Sequence, residues 1–256
     1  MAAKGLRYYF DLIEVLTKKE IKVRYKNSAL GYLWSIANPL LYSLIFYFVF
    51  KVIMRFQIKD YTLFLITGLF PWQWVSNSVL SSASVFLGNT SLIKKVIFPR
   101  LFLPLALVLN DAFHFFMSIP VIIIFLLLYG KSPYVSWIYL IPLLSIPTFF
   151  VIYGMSLIVS SLNVFFRDLQ YIMNLILTIL FYLTPIFYTI DYVPQKYRTL
   201  VYLNPFTSMI NSWREVFMNG RLDYRDFSIL VVYSIVVFIV GYAVYRKVSP
   251  RFAEVV

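Results

Sequence analysis

The chain has 256 residues, of which 61% are hydrophobic and 13% are charged, whereas a soluble globular domain carries about 25% charged residues. This composition, a mean hydropathy of +0.79 and several long apolar runs exclude a water-soluble globular enzyme and predict a polytopic membrane protein. The absence of cysteine from the sequence excludes disulfides, thiolate metal sites and iron–sulfur clusters, and the single histidine, His114, excludes a multi-histidine metal site.

The first predicted element is an amphipathic helix over residues 5–27. At helical spacing, one face is charged and comprises Arg7, Asp11, Glu14, Lys18 and Lys22. The opposite face is apolar and comprises Leu6, Tyr9, Phe10, Ile13 and Leu16. This pattern is typical of a helix that lies in the cytoplasmic interface of a membrane with its apolar face toward the lipid.

Six apolar runs account for most of the remaining chain, and each is long enough to cross a hydrocarbon core of about 30 Å. Because lipid offers no hydrogen-bond partners, these runs are expected to be helices, which satisfy their own backbone polar groups. We therefore predict an all-α polytopic fold with a single transmembrane domain over residues 1–256. The predicted spans are 31–54, 62–87, 102–129, 135–162, 171–189 and 227–246.

Residues 185–226, around the end of the fifth span and before the sixth, form an outer segment rich in Pro, Tyr and Phe. It is too polar to cross the membrane and too apolar to be a free loop. We predict short re-entrant helices that dip into the outer leaflet and return.

The charge distribution predicts the orientation. Most of the Lys and Arg residues lie in the N-terminal segment, in the connections after the second and fourth spans, and near the C-terminal end. The positive-inside rule therefore places both termini in the cytoplasm. The same rule accounts for the formal net charge of +12 through contact with membrane lipids, without a nucleic-acid partner.

Two predicted spans carry aromatic and polar residues on one side, which makes them candidates for a substrate channel. The first span contributes Trp34, Asn38, Tyr42, Phe46 and Phe50, and the fifth contributes Tyr171, Asn174, Thr178, Phe181 and Tyr182. Such faces are found in ordinary helix packing. They also suit a glycan, because sugar rings stack on aromatic side chains while amides and hydroxyls bind the sugar hydroxyls.

The third span contains two ionisable residues, Asp111 and His114, three positions apart on one helix face. We interpret them as a structural hydrogen-bonded pair. A gate contact and a proton relay are the alternatives, because ionisable groups inside membranes are often functional.

Several ordered motifs together resemble the membrane subunit of type-2 ABC exporters that carry bacterial surface polysaccharides, such as O antigens and teichoic acids. The resemblance covers nearly the whole chain. Its motifs are Lys22–Trp34 with Asn38-Pro39, Gly68–Trp72, Asn89 with Leu92–Lys95, Phe98–Arg100 with Pro104, Asn163–Leu169, Leu183–Tyr188 and Asn204–Phe206.

The resemblance implies a homodimer in the bacterial inner membrane that works with two copies of an ATP-binding cassette ATPase subunit. The cargo would be a polysaccharide on undecaprenyl diphosphate. ATP and magnesium would bind the partner subunit, and no cofactor, metal or catalytic residue is expected in this chain.

The resemblance also implies roles for individual residues. The residues that contact the ATPase would be Asn89, Lys94, Lys95, Phe98, Pro99, Arg100, Arg167 and Asp168. The outer gate would contain Pro185, Phe187, Tyr188, Asn204 and Pro205. The lipid diphosphate, or anionic lipid in general, would bind Arg24, Tyr25 and Lys26, since guanidinium groups match phosphate geometry.

Two other functions stay open from the sequence. A type-2 exporter of teichoic acid, capsule or a small molecule would share the same scaffold. A membrane-embedded glycosyl or acyl transferase would need catalytic carboxylates at a membrane face, and Asp191, Asp223 and Asp226 are the candidates on the outer side.

Overall fold

The computed structural model describes residues 6–24, 31 and 33–252, and every regular element in these residues is a helix. The predicted all-α fold class is therefore confirmed for this part of the chain. Residues 5 and 25–27 of the predicted N-terminal helix lie outside the described residues. The helices are α1 (Leu6–Arg24), α2 (Leu33–Phe46), α3 (Tyr61–Ser82), α4 (Val85–Gly88), α5 (Thr90–Lys95), α6 (Phe102–Leu128), α7 (Trp137–Asn163), α8 (Leu169–Leu183), α9 (Gln195–Leu203), α10 (Pro205–Asn219) and α11 (Tyr224–Val248).

Three helical segments are long and apolar enough to cross a membrane, namely Phe102–Leu128, Trp137–Asn163 and Tyr224–Arg251. Two shorter apolar helical segments, Leu40–Ile53 and Leu169–Leu183, accompany them. The first of these contains a change in winding, because α2 continues directly into the π-helical segment Tyr47–Ile53. These five segments are apolar over most of their length, as a lipid environment requires.

Helix α3 lies at the centre of the molecule and is buried along most of its length. It packs against α2, α6, α7, α8 and α10. One contact with α6 is anchored by Trp74, whose indole N–H donates to the carbonyl oxygen of Val108 at 3.3 Å and whose ring stacks on Phe115 at 5.2 Å between centroids. A surrounding helix therefore supplies the hydrogen-bond partner that lipid would not offer to the Trp74 indole.

Helices α7 and α11 share the most extensive interface of the fold, and they approach most closely at two glycines. A Cβ atom on Gly241 would meet the backbone of Gly154, and a Cβ on Gly154 would lie 2.6 Å from the carbonyl oxygen of Val237. Small residues at a crossing allow two membrane helices to pack backbone against backbone. The pair of glycines therefore fixes where α11 crosses α7.

Helix α10 is the most deeply packed part of the outer segment. Its start is defined by Asn204, whose side-chain oxygen accepts from the backbone N–H of Phe206 at 3.1 Å, and by Pro205 at the first helical position. Its end is defined by Gly220, which has a φ of +63°. In between, the indole N–H of Trp213 donates to the hydroxyl of Thr148 on α7 at 3.1 Å. The segment is thus folded against the helices and is not a free loop.

The glycine crossing yields a stability prediction. The substitution Gly241→Ala should lower the Tm of the purified protein by about 5 °C, because the added methyl group must push α11 away from Gly154. The matched control is Gly88→Ala, since a Cβ at Gly88 meets nothing within 4 Å. Equal Tm values for the two variants would show that the crossing has room for a methyl group.

Candidate substrate cavity and coupling surface

A cavity of about 710 Å³ opens between α2, α3, α6 and α8, with the last residue of α1 at its rim. Its volume lies in the range of known ligand sites. Aromatic side chains cover much of its wall, and they are Trp34, Tyr42, Phe46, Phe70, Trp72, Trp74, Phe115, Phe181 and Tyr182.

Half of the predicted channel residues line this cavity: Trp34, Tyr42 and Phe46 from the first predicted span and Phe181 and Tyr182 from the fifth. The two helices meet through ring contacts, because Phe46 lies 6.4 Å from Tyr42 and 5.8 Å from Phe181 between centroids. The structure therefore brings the aromatic ends of the two predicted faces together.

The other predicted channel residues lie elsewhere or cannot be placed. The side chain of Asn38 lies outside what the structure describes. Phe50 packs on Phe187, with 4.8 Å between ring centroids, at the outer segment. Tyr171, Asn174 and Thr178 lie on α8 with exposed side chains and are not among the residues that line the cavity.

A polar part of the cavity wall was not predicted as channel lining. It consists of Gln73, Ser76 and Asn77 on α3 and Asp111, His114 and Ser118 on α6. The three residues of α3 are spaced three and four apart, which puts them on one helix face. Polar residues on one face of an otherwise apolar segment were therefore the sequence signal that could have found this wall.

An ion pair lies at the rim of the cavity, where Arg24 of α1 meets Asp111 of α6. One carboxylate oxygen of Asp111 accepts from the Nη1 of Arg24, and the other accepts from the hydroxyl of Ser78 at 2.9 Å. The sequence interpretation paired Asp111 with His114, whereas both oxygens are bonded to side chains of other helices. Of the three residues predicted at the lipid headgroup, Tyr25 and Lys26 lie outside the described residues.

The predicted coupling segment 89–100 contains α5 and joins α4 to α6. Asn89, between α4 and α5, accepts from Lys19 of α1 and donates to the carbonyl oxygen of Val85 at 2.8 Å. Lys94 and Lys95 are exposed at the end of α5. At the other end of the segment, Phe98 packs on the core, Pro99 is half-buried, and Arg100 donates to the carbonyl oxygen of Ser249 at 3.2 Å.

The second predicted coupling contact, Arg167 and Asp168, lies in the turn between α7 and α8 with both side chains exposed. Asn163, the last residue of α7 before this turn, donates to the carbonyl oxygen of Ala83 at 2.8 Å, in the connection between α3 and α4. Helix α4 begins two residues after Ala83 and leads into the first segment. The two predicted coupling segments therefore lie at the same end of the molecule.

The predicted outer gate is held by a half-buried arginine that the sequence analysis did not single out. Arg214 of α10 donates to the carbonyl oxygens of Pro185 and Ile186, each at 2.9 Å. Its guanidinium lies 3.7 Å from the ring centroid of Phe64, and a Cβ on Gly68 would come within 2.9 Å of its Nη2. The glycine of the Gly68–Trp72 motif thus makes room for Arg214.

Three of the remaining predicted gate residues, Phe187, Tyr188 and Asn204, are bonded to α3 or to the end of α8. The hydroxyl of Tyr61 donates to the carbonyl oxygen of Phe187 at 2.8 Å, and the amide of Asn204 donates to Thr184 at 2.8 Å. The hydroxyl of Tyr188 donates to the carbonyl oxygen of Leu183 at 3.0 Å.

Comparison with known proteins places the chain in a family. The family described as ABC-2 type transporter matches residues 11–218. Two proteins of Klebsiella pneumoniae named O-antigen export system permease protein RfbA are 49% and 50% identical to this chain over 251 residues, which is 98% of this chain and 97% of each relative. A Myxococcus xanthus protein of the same name is 32% identical over 255 residues, with 98% of this chain and 97% of the relative covered.

The matched region includes the cavity helices α2, α3, α6 and α8, both coupling segments and the outer segment to Met218. The apolar helices of the fold and the relatives named permeases agree on a multi-pass membrane protein with a transport role. With the family model matching most of its length and relatives about half identical to it from end to end, the chain belongs to the ABC-2 type transporter family.

Proposed function

We propose that this chain is the channel-forming membrane subunit of an ATP-driven exporter that moves O-antigen polysaccharide on undecaprenyl diphosphate across the bacterial inner membrane. The observation that carries the proposal is the 710 Å³ cavity, whose wall combines stacked aromatic rings with amide and hydroxyl side chains. A glycan needs both kinds of contact. The names of the half-identical relatives indicate which glycan is exported.

The proposed topology has six spans with both termini in the cytoplasm. Helix α2 and its π-helical continuation supply about 30 Å of helix, enough for one span. Helix α8 supplies about 22 Å and is completed by the outer segment that follows it. Helix α1 lies in the cytoplasmic interface, and α9 and α10 form the re-entrant pair in the outer leaflet.

The path for the polymer lies between two copies of the chain. Support comes from the faces of α2 and α8 beside the cavity, which expose large apolar side chains that include Leu41, Leu44, Ile172 and Leu175. In a homodimer these faces would join two cavities into one conduit. The exposed Tyr171, Asn174 and Thr178 then lie on the partner-facing side of α8, where they extend the polar lining.

Energy comes from two copies of an ATP-binding cassette subunit, which hold the ATP and magnesium. Support comes from Lys94, Lys95, Arg167 and Asp168, whose charged side chains are exposed at one end of the molecule. Closure of the ATPase pair would press on this end. Because Asn163 and Ala83 connect it to α3, the movement would reach the cavity wall and the outer gate.

Of the three carboxylates that a transferase would use, Asp223 has a structural role in the described residues. Asp223 caps α11 by accepting from the backbone N–H of Arg225 at 2.8 Å. Asp191 is exposed and lies 3.8 Å from Arg198. Asp226 follows Asp223 inside the first turn of α11. These positions favour a transporter over a membrane-embedded enzyme.

The proposed function predicts a stable complex with an ATPase. Coexpression of this chain with the ATPase encoded beside it should yield a complex with two copies of each subunit, and the ATP hydrolysis of the complex should depend on both. The complex should restore surface O antigen in a strain that lacks its own exporter. Failure to form a complex with any candidate ATPase would contradict the proposal.

The cavity wall predicts a selective transport defect. The substitution Tyr42→Ala should reduce polymer export by about tenfold, because it removes an exposed ring from the proposed path, while the basal ATP hydrolysis of the complex stays near normal. Tyr139→Ala is the matched control, since Tyr139 is similarly exposed on α7 but outside the cavity. Equal export by both variants would remove Tyr42 from the path.

A further inference from the structure

The ion pair at the cavity rim is asymmetric in its exposure. The side chain of Arg24 is 31% exposed and lines the cavity, whereas that of Asp111 is 2% exposed. Both side chains line the cavity, and the guanidinium is the more exposed of the two. The cation is therefore the partner that is more accessible to an anion in the cavity.

The carboxylate keeps a partner when Arg24 turns away from it. Ser78, buried on α3, donates to the second oxygen of Asp111 at 2.9 Å. Separation of a buried carboxylate from its cation is nevertheless costly, so the ion pair opens only for an anion that offers Arg24 equivalent bonds. A diphosphate does so, because a planar guanidinium binds two phosphate oxygens at once.

Helix α1 touches the coupling segment as well as the cavity. Lys19, five residues before Arg24, donates to the side-chain oxygen of Asn89, which directly precedes α5. The amide of Asn89 in turn holds the carbonyl oxygen of Val85 at 2.8 Å. Lys19 and Asn89 therefore connect α1 to the segment that contains α4 and α5.

We propose that the Arg24–Asp111 pair is an anion-exchange latch that senses the cargo. The diphosphate headgroup of the lipid-linked polysaccharide takes the guanidinium of Arg24 from Asp111, and α1 carries the change through Lys19 to Asn89 and the coupling segment. Asp111 is a positioning residue, because it competes with the ligand instead of binding it. This inference rests on the proposed function for the identity of the anion.

If Asp111 and the ligand compete for Arg24, substitutions of Asp111 and of Arg24 should change the affinity for a diphosphate lipid in opposite directions. Asp111→Asn should bind a diphosphate lipid about tenfold more tightly than the wild type, because the competing charge is gone. Ser78→Ala should bind it more weakly, because Asp111 then depends more on Arg24. Arg24→Gln should lose most of the binding. Glu14→Gln, which removes an exposed carboxylate from the same helix, is the control and should match the wild type.

The test uses the full chain in complex with its ATPase, reconstituted in phosphatidylcholine nanodiscs, which carry no net lipid charge. Binding of undecaprenyl diphosphate without a glycan is measured for the wild type and the four variants. Phosphatidylglycerol is titrated as a second probe to separate the diphosphate from an ordinary anionic lipid. ATP hydrolysis stimulated by undecaprenyl diphosphate is measured in parallel for Lys19→Ala, which should bind the lipid but lose the stimulation.

Each outcome decides between the latch and the function on which it rests. Unchanged or weaker binding by Asp111→Asn, with normal wild-type binding, would overturn the latch and leave the exporter proposal intact. If the Asp111 variant does not fold, Ser78→Ala tests the competition independently. Binding of undecaprenyl diphosphate by Ser78→Ala that equals or exceeds that of the wild type would then overturn the latch. If the variants changed the binding of phosphatidylglycerol as much as that of undecaprenyl diphosphate, the selectivity for a diphosphate would be overturned. Unchanged stimulation of ATP hydrolysis in Lys19→Ala would overturn the transmission through α1. Failure of the wild type to bind undecaprenyl diphosphate would overturn both the latch and the proposed cargo lipid.

Discussion

The burial of polar and charged groups among packed helices is the constraint on which this structure depends, and α3 is where it acts most strongly. This helix carries the buried Ser78 and Ser82, which bond to Asp111 and to the carbonyl oxygen of Val79, and other helices surround it. Near one end Ser78 holds Asp111, and near the other Gly68 makes room for Arg214. One buried helix thereby connects the rim of the cavity with the proposed outer gate.

The cavity follows from the same arrangement. Where α3 presents Gln73 and Asn77, the wall is polar, and where α2 and α8 end in aromatic residues, the wall is a set of rings. This mixture is weakly selective for any one sugar, because aromatic faces accept many rings. A permease that must pass a polymer of many repeats benefits from contacts of this kind. In the proposed latch, selection falls on the headgroup at the rim, where charge gives a stronger and more directional interaction.

The sequence was sufficient for the features that depend on local pattern. Apolar runs predicted the helices, and Thr184, which precedes Pro185, ends α8 as the residue before a proline often does. The predicted fifth span, 171–189, extends beyond the end of α8. Residues 184–189 continue the apolar run with aromatic side chains, but they are not helical. Contacts between residues distant in the chain could not be predicted from local patterns. Asp111 binds Arg24, which lies 87 residues away in the sequence, and Arg214 binds backbone carbonyl groups, which carry no sequence signature. Spacing alone therefore suggested His114 as the partner of Asp111.

The most direct test of the central claim is photo-crosslinking from inside the cavity during export. Tyr42→benzoylphenylalanine places the probe on the cavity wall, and Ile235→benzoylphenylalanine places it on the exposed face of α11 as a control. Irradiation of exporting cells should attach a ladder of glycan repeats to position 42 and none to position 235. Glycan adducts at position 235 alone, or at neither position while export continues, would contradict a path through this cavity.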